Sequence, residues 1–383
     1  MIGTSTDIAT DKVQSSERTN LTILAILDAL FAALVVCPCV VCYWRAVWGL
    51  MDLYLEPLGS LNSGLVSIVI GMGGHIVFNV FQTVFEKNVH PDHNRTVYYL
   101  LSRLYTVCFA FVCVNGWRGP WECLNVHSMN DMVVLLATTG VGIAAMVSMK
   151  VLRNVTAPPF VVAVDDVKGY FEVTTMFKIK MREKLTLYLL DCLFSVVIVG
   201  TLIVFVWRGL WLIVDILLYP ENEELSSWIS MGLGYALMAF LLLSQPTMRY
   251  LCERLSGTTR VLFADAVTLL ALFGTVNIWR GIWNLLPIYF FSDDTEMCCW
   301  ITHWVTVIVL ILCGASNSLL VKGVDIDAEE EGGECVNFQI YFFRSIYHKK
   351  KQKWKPSEMN LQVNHKDEIT ADSNHTVTIA TIS

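Results

Sequence analysis

Eight stretches of this chain are long and apolar enough to cross a bilayer as helices, and nothing else in the sequence constrains the fold as tightly. A hydrocarbon core of roughly 30 Å takes about 20 apolar residues in helix, and backbone left unpaired in lipid is costly. The stretches cover 21–43, 61–83, 97–116, 131–150, 186–206, 228–248, 261–278 and 300–321. The seventh extends through the WRGIW that follows it. Composition agrees, with 55% hydrophobic and 16% charged residues, against about 25% charged in soluble domains. No small-residue cleavage site follows the first run, so it reads as a span and not as a signal peptide. The expectation is an all-α polytopic membrane protein with eight transmembrane helices.

The basic residues give those helices a direction. With the N-terminus in the cytoplasm, all but four of the 27 Lys and Arg residues fall on or beside the inner face. The four exceptions are Arg45, Arg118, Arg208 and Arg280, on the outer side, where the loops are otherwise acidic. This is a strong positive-inside pattern, and it puts both termini in the cytoplasm. The sequons at Asn20, Asn94, Asn154 and Asn374 then lie inside, so no N-glycan is expected. Of the twelve cysteines, Cys123, Cys298 and Cys299 fall in outer loops and leave room for one bridge at most.

Each outer arginine sits in the same frame: YWRAVW (43–48), GWRGPW (116–121), VWRGLW (206–211) and IWRGIW (278–283). Their spacing exposes a duplication. Asp28, Trp44, Arg45, Trp48, Asp52 and Pro57 recur 163 residues later as Asp191, Trp207, Arg208, Trp211, Asp215 and Pro220. Asn115, Trp117, Arg118, Gly119 and Trp121 recur 162 later as Asn277, Trp279, Arg280, Gly281 and Trp283. The unit is four spans, so the two repeats share one orientation and a pseudo-two-fold axis runs along the membrane normal. The expected divisions are an N-terminal segment (1–20), a first repeat (21–150), a cytoplasmic loop (151–185), a second repeat (186–321) and a cytoplasmic tail (322–383). Alternating β-branched residues before and within 171–184 predict a short strand or hairpin in the loop, matched in the tail. From about 356 onward the tail is polar, aperiodic and expected to be disordered.

Three groups of residues are candidates for function. In each motif the tryptophans are four apart and share a helix face, with the arginine beside the first. The plainer reading is an interfacial anchor, with Trp44, Trp48, Trp117, Trp121, Trp207, Trp211, Trp279 and Trp283 at headgroup level and the arginines snorkelling outward. Cation–π contact within a motif would add roughly 0.5–2 kcal/mol. The sharper reading brings Arg45, Arg118, Arg208 and Arg280 together near the axis as an anion or lipid-headgroup site. Against it, Asp52 and Asp215 follow Arg45 and Arg208 by seven residues, placed to neutralise the arginine of a neighbouring motif. The second group is an inner charge layer on the odd spans, Asp28, Arg103, Asp191 and Asp265. Here Arg103 is the counterpart of Asp265, and the two are expected to pair. The third is His75 and Asn79, the polar residues nearest the middle of span 2, read first as interhelical hydrogen bonders.

HKKKQKWK (348–355) is a candidate site for anionic inner-leaflet lipids, each basic residue adding about 1 kcal/mol. No phosphate loop, dinucleotide fingerprint, metal-ligand spacing or nucleophile elbow is present. No enzyme activity, cofactor, metal or nucleic-acid partner is expected.

The four WRxxW motifs, the eight spans and the cytoplasmic termini resemble the fuseless family of invertebrate membrane proteins. The resemblance runs over about 20–355, and its one departure is Ala46 where the other motifs have glycine. It implies a presynaptic plasma-membrane role, organising active zones and supporting voltage-gated calcium channel localisation. It brings no ligand-binding or catalytic residues. The other class left open is a transporter or channel for a small solute or ion, with its path along the pseudo-two-fold axis.

Overall fold

A computed structural model describes residues 19–127 and 131–351. Residues 1–18, the end of the basic stretch 348–355 and the expected disorder beyond 356 lie outside the described residues. Eight helices have the length and apolarity to cross a membrane: α1 (Thr19–Leu55), α2 (Ser60–Asn88), α3 (Arg95–His127), α4 (Met132–Met149), α5 (Leu185–Leu217), α6 (Glu223–Glu253), α7 (Gly257–Tyr289) and α8 (Thr295–Cys313). The odd helices run past their WRxxW motifs by further turns, so the motifs lie inside helices and not at their ends. Residues 300–321 do not form one span. Gly314 takes a left-handed conformation (φ 70°) and caps α8 at Cys313.

By its contacts the chain divides into two compact units, Phe31–Ile340 and a smaller one joining the chain before Phe31 to the chain after Ile340. In the larger unit, α1, α3, α5 and α7 touch one another in a closed cycle. Each even helix packs on one member of that ring: α2 on α3, α4 on α5, α6 on α7 and α8 on α1. Glycine permits the closest of these approaches. A Cβ on Gly71 of α2 would stand 2.1 Å from the backbone nitrogen of Gly116 in α3. At Gly234, which is 163 residues on, a Cβ would stand 2.7 Å from the Gly274 carbonyl oxygen of α7. A single π-helical turn interrupts α1 at Ala32–Val36 and α5 at Phe194–Val199.

Helices α4 and α8 have 18 and 19 residues, whereas the other six have 29 to 37. Where they stop, the chain folds back among the longer helices. Val151, Leu152, Val155 and Phe160 after α4, and Ala315 and Leu319 after α8, are fully or almost fully buried. The expected strand or hairpin does not form. The β structure among the described residues is one parallel bridge, Val161 to Gln339. Buried backbone must still be paired, and here side chains do the pairing. Asp165 accepts from the amides of Ser316 and Asn317, and Asp327 from those of Leu152 and Arg153.

Candidate functional site

The four motifs meet at the centre of the helix ring. The indoles of Trp44, Trp117, Trp207 and Trp279 form a closed square of edge-to-face contacts, with centroid separations of 5.3, 5.3, 5.3 and 5.7 Å. One helical turn on, Trp48, Trp121, Trp211 and Trp283 form a second square, at 5.6, 6.0, 5.9 and 5.7 Å. Each edge-to-face pair adds about 0.5–1.5 kcal/mol beyond the area it buries. The interfacial reading placed these rings at lipid headgroups, but Trp44 and Trp207 are 2% exposed and face their neighbours in the ring.

The buried indole N–H groups need acceptors, and the irregular segments supply them. Trp44 Nε1 donates to the Leu319 carbonyl (3.2 Å), Trp207 to Val155 (2.9 Å) and Trp279 to Pro158 (2.7 Å). Below the first square the axis therefore ends on a plug of loop backbone, with a cavity of about 140 Å³ between them. Above it, a cavity of about 360 Å³ is walled by both squares, with Glu122, Asn125, Leu212 and Asn284.

None of the four arginines lines that larger cavity among the described residues. They point away from the axis and link the odd helices in a cycle. Arg118 binds Asp52 of α1 (2.8 Å), Arg208 donates to Asn125 Oδ1 of α3 (2.9 Å), and Arg280 binds Asp215 of α5 (2.5 Å). Each acceptor lies seven residues past the arginine of its own helix. The same position in α7 is Pro287, which has no side-chain acceptor. Proline also lacks the N–H that would bond the carbonyl four residues earlier. That carbonyl, Trp283 O, accepts from Arg45 Nε at 2.8 Å and closes the cycle. Serines of the even helices complete the seats: Ser63 and Ser67 for Arg118, Ser226 for Arg280. The expected cation–π contact within each motif is not among the cation–π pairs of the described residues.

The glycine of WRGxW has a packing reason. A Cβ on Gly209 would sit 1.8 Å from Thr139 Oγ1 of α4. In the first motif Ala46 takes this place and packs against Cys299 of α8. All twelve cysteines are free, including Cys123, Cys298 and Cys299.

The inner charge layer does not pair within itself. Arg103 bridges to Asp165 (3.4 Å) and donates to the Tyr170 hydroxyl (2.8 Å). Asp265 interacts with the carboxyl of Asp327. The expected Arg103–Asp265 pair is absent because irregular segments lie beside both groups and supply nearer partners. Asp191 likewise holds the segment before α5, accepting from Thr175 Oγ1 (2.6 Å) and the amides of Phe177 and Ile179. In the smaller unit Asp28 accepts from the Phe343 amide and from Arg344 Nε, at 2.5 and 2.6 Å. Asp28, Arg103 and Asp191 thus fasten non-helical chain or its flank to an odd helix, whereas Asp265 lies beside Asp327 with its Oδ2 buried and unpaired.

His75 packs edge-to-face on Phe109 of α3 at 5.0 Å. The Asn79 amide donates to the His75 carbonyl, and the Asn79 carbonyl accepts from the Tyr188 hydroxyl of α5. Gln82, one turn on, grips the Val173 backbone through both its amide groups. This face of α2 is a docking edge for the segment before α5. Sequence reasoning missed the plug, Asn125 and Pro287. The seven-residue spacing was the available signal for the last two; the plug left none, because 131–150 and 300–321 read as spans of ordinary length.

A ring of four odd helices with an indole-lined axis, each helix buttressed by an even one, defines an all-helical multi-pass membrane protein with an aromatic core. A family model described as Fuseless matches residues 23–320. The chain belongs to the Fuseless family. No curated protein matches it, and no solved structure does.

Proposed function

We propose that this protein is a non-enzymatic organiser of the presynaptic active zone, supporting voltage-gated calcium channel localisation and transmitter release. Membership of the Fuseless family over residues 23–320 carries this reading. In it the protein resides in the plasma membrane as two four-helix repeats, with both termini and the loop 151–185 on the cytoplasmic side. The partners there are calcium channel or active-zone proteins, and 348–355 meets anionic lipid. Two closed indole squares and the plug beneath them tie the four odd helices together, which suits a rigid framework. The test is deletion of 349–383 in neurons, which keeps the partners of Asp28. Channel clusters are lost while the truncated protein still reaches the surface. Intact clusters would refute the reading.

Transport along the axis is the second reading. It is favoured by two cavities, of about 360 and 140 Å³, that share Trp44 and Trp279 as walls. Purified protein in liposomes tests it: solute or ion flux that Arg45→Gln or Arg208→Gln abolishes would displace the organiser reading.

A further inference from the structure

The residue after the second tryptophan differs in every motif: Gly49, Glu122, Leu212 and Asn284. Helices α1, α3, α5 and α7 follow one another round the ring, so Glu122 and Asn284 stand on opposite members. Both line the cavity of about 360 Å³, as does Leu212. Below this rim the walls are tryptophan. The cavity is therefore an aromatic cup built on four near-identical motifs, with a rim that breaks their likeness.

One ionisable group lines it. Glu122 is the only ionisable side chain lining the cup among the described residues, since the arginines are turned outward into their seats. Asn125, which also lines the cup, donates to Glu122 Oε2 at 3.4 Å while its own Oδ1 accepts from Arg208. Arg118, Arg208 and Asp52 act on that carboxylate from behind the wall, and none of them lines the cup. Indole faces attract cations through the ring quadrupole, most strongly when the cation is poorly hydrated. An anion would meet indole rings and a carboxylate with no cation lining the wall, so the cup selects against the ligand that four clustered arginines suggest.

We propose that the tryptophan cup is a binding site for a small organic ammonium. Its cationic head packs among Trp48, Trp121, Trp211 and Trp283 beside Glu122, and any polar tail reaches Asn284 on the far side. The volume suits a ligand of choline size and exceeds that of a bare metal ion. This inference does not depend on the organiser reading, and neither fails with the other.

The test is isothermal titration of the purified full chain in nanodiscs with choline, its uncharged tert-butyl isostere, and inorganic phosphate. Choline binds saturably, the isostere at least about tenfold more weakly, and phosphate does not bind. Glu122→Gln weakens choline about tenfold, as expected for loss of one close opposite charge. Leu212→Glu, which adds a second carboxylate to the rim, strengthens it. Choline that fails to saturate, an isostere that binds equally well, or unchanged affinity in a Glu122→Gln protein with wild-type unfolding overturns the proposal. Should Glu122→Gln not fold, Leu212→Glu decides: choline affinity no better than wild type overturns it.

Discussion

Deleting the exposed member of the Arg118–Asp52 pair should harm the protein more than deleting the buried one. The Arg118 side chain is 4% exposed and that of Asp52 is 52% exposed. Asp52→Ala strands a guanidinium among helices. Breaking a fully buried pair in this way costs about 3–5 kcal/mol. Solvent already screens Asp52, and the hydroxyls of Ser63 and Ser67 still accept from Arg118, so about 2 kcal/mol is expected here. Arg118→Met removes the buried charge itself and fills a similar volume. Asp52 is then left in water at little cost, and the serine hydroxyls turn to carbonyls of their own helix. That variant should lose about 1 kcal/mol. The double variant should match Arg118→Met, so the second mutation rescues the first by about 1 kcal/mol. Equilibrium unfolding of the four proteins in detergent, followed by helical circular dichroism, measures this. Additive losses, or a double variant less stable than Asp52→Ala, would refute the assignment of Arg118 as a cation held by Asp52.

Gly71→Leu should abolish assembly, because its Cβ meets the backbone of α3, while Gly73→Leu, with no atom within 4 Å of its Cβ, should behave as wild type; size-exclusion profiles of the two separate these outcomes. Arg103→Ala should not be rescued by Asp265→Ala, and its cost should overlap that of Asp165→Asn, as unfolding midpoints of the double variants will show. Burial lowers the Lys322 ammonium from 10.5 to about 8. Between those values the unfolded chain keeps a proton that the folded chain has released, so stability rises with pH across that window. Unfolding midpoints taken from pH 8 upward should show this rise, and Lys322→Met should flatten it.

The eight helices were legible because a span leaves a continuous apolar signal whatever it packs against. The arginine seats were half legible: Asp52 and Asp215 are acids at a helical spacing, whereas Asn125 and Pro287 occupy the same position without a charge to mark it. Facing rings were not legible, since tryptophans four apart suit a headgroup belt and a packed axis equally well. The distinction lies in which helices neighbour one another, and no local pattern records that. The partners of Arg103 and Asp265 escaped for a related reason. Asp165 and Asp327 belong to irregular chain, and the apolar runs 131–150 and 300–321, full-length as read, gave no hint that such chain enters the bundle.

The arginine cycle also sets an order of events. A nascent chain delivers α1 to the membrane first, yet the carbonyl that receives Arg45 belongs to α7, more than two hundred residues behind it on the ribosome. Until then one cation waits unclaimed beside apolar helices. The clasp on Arg45 thus ties the first odd helix of the chain to the last and cannot form before α7 is made.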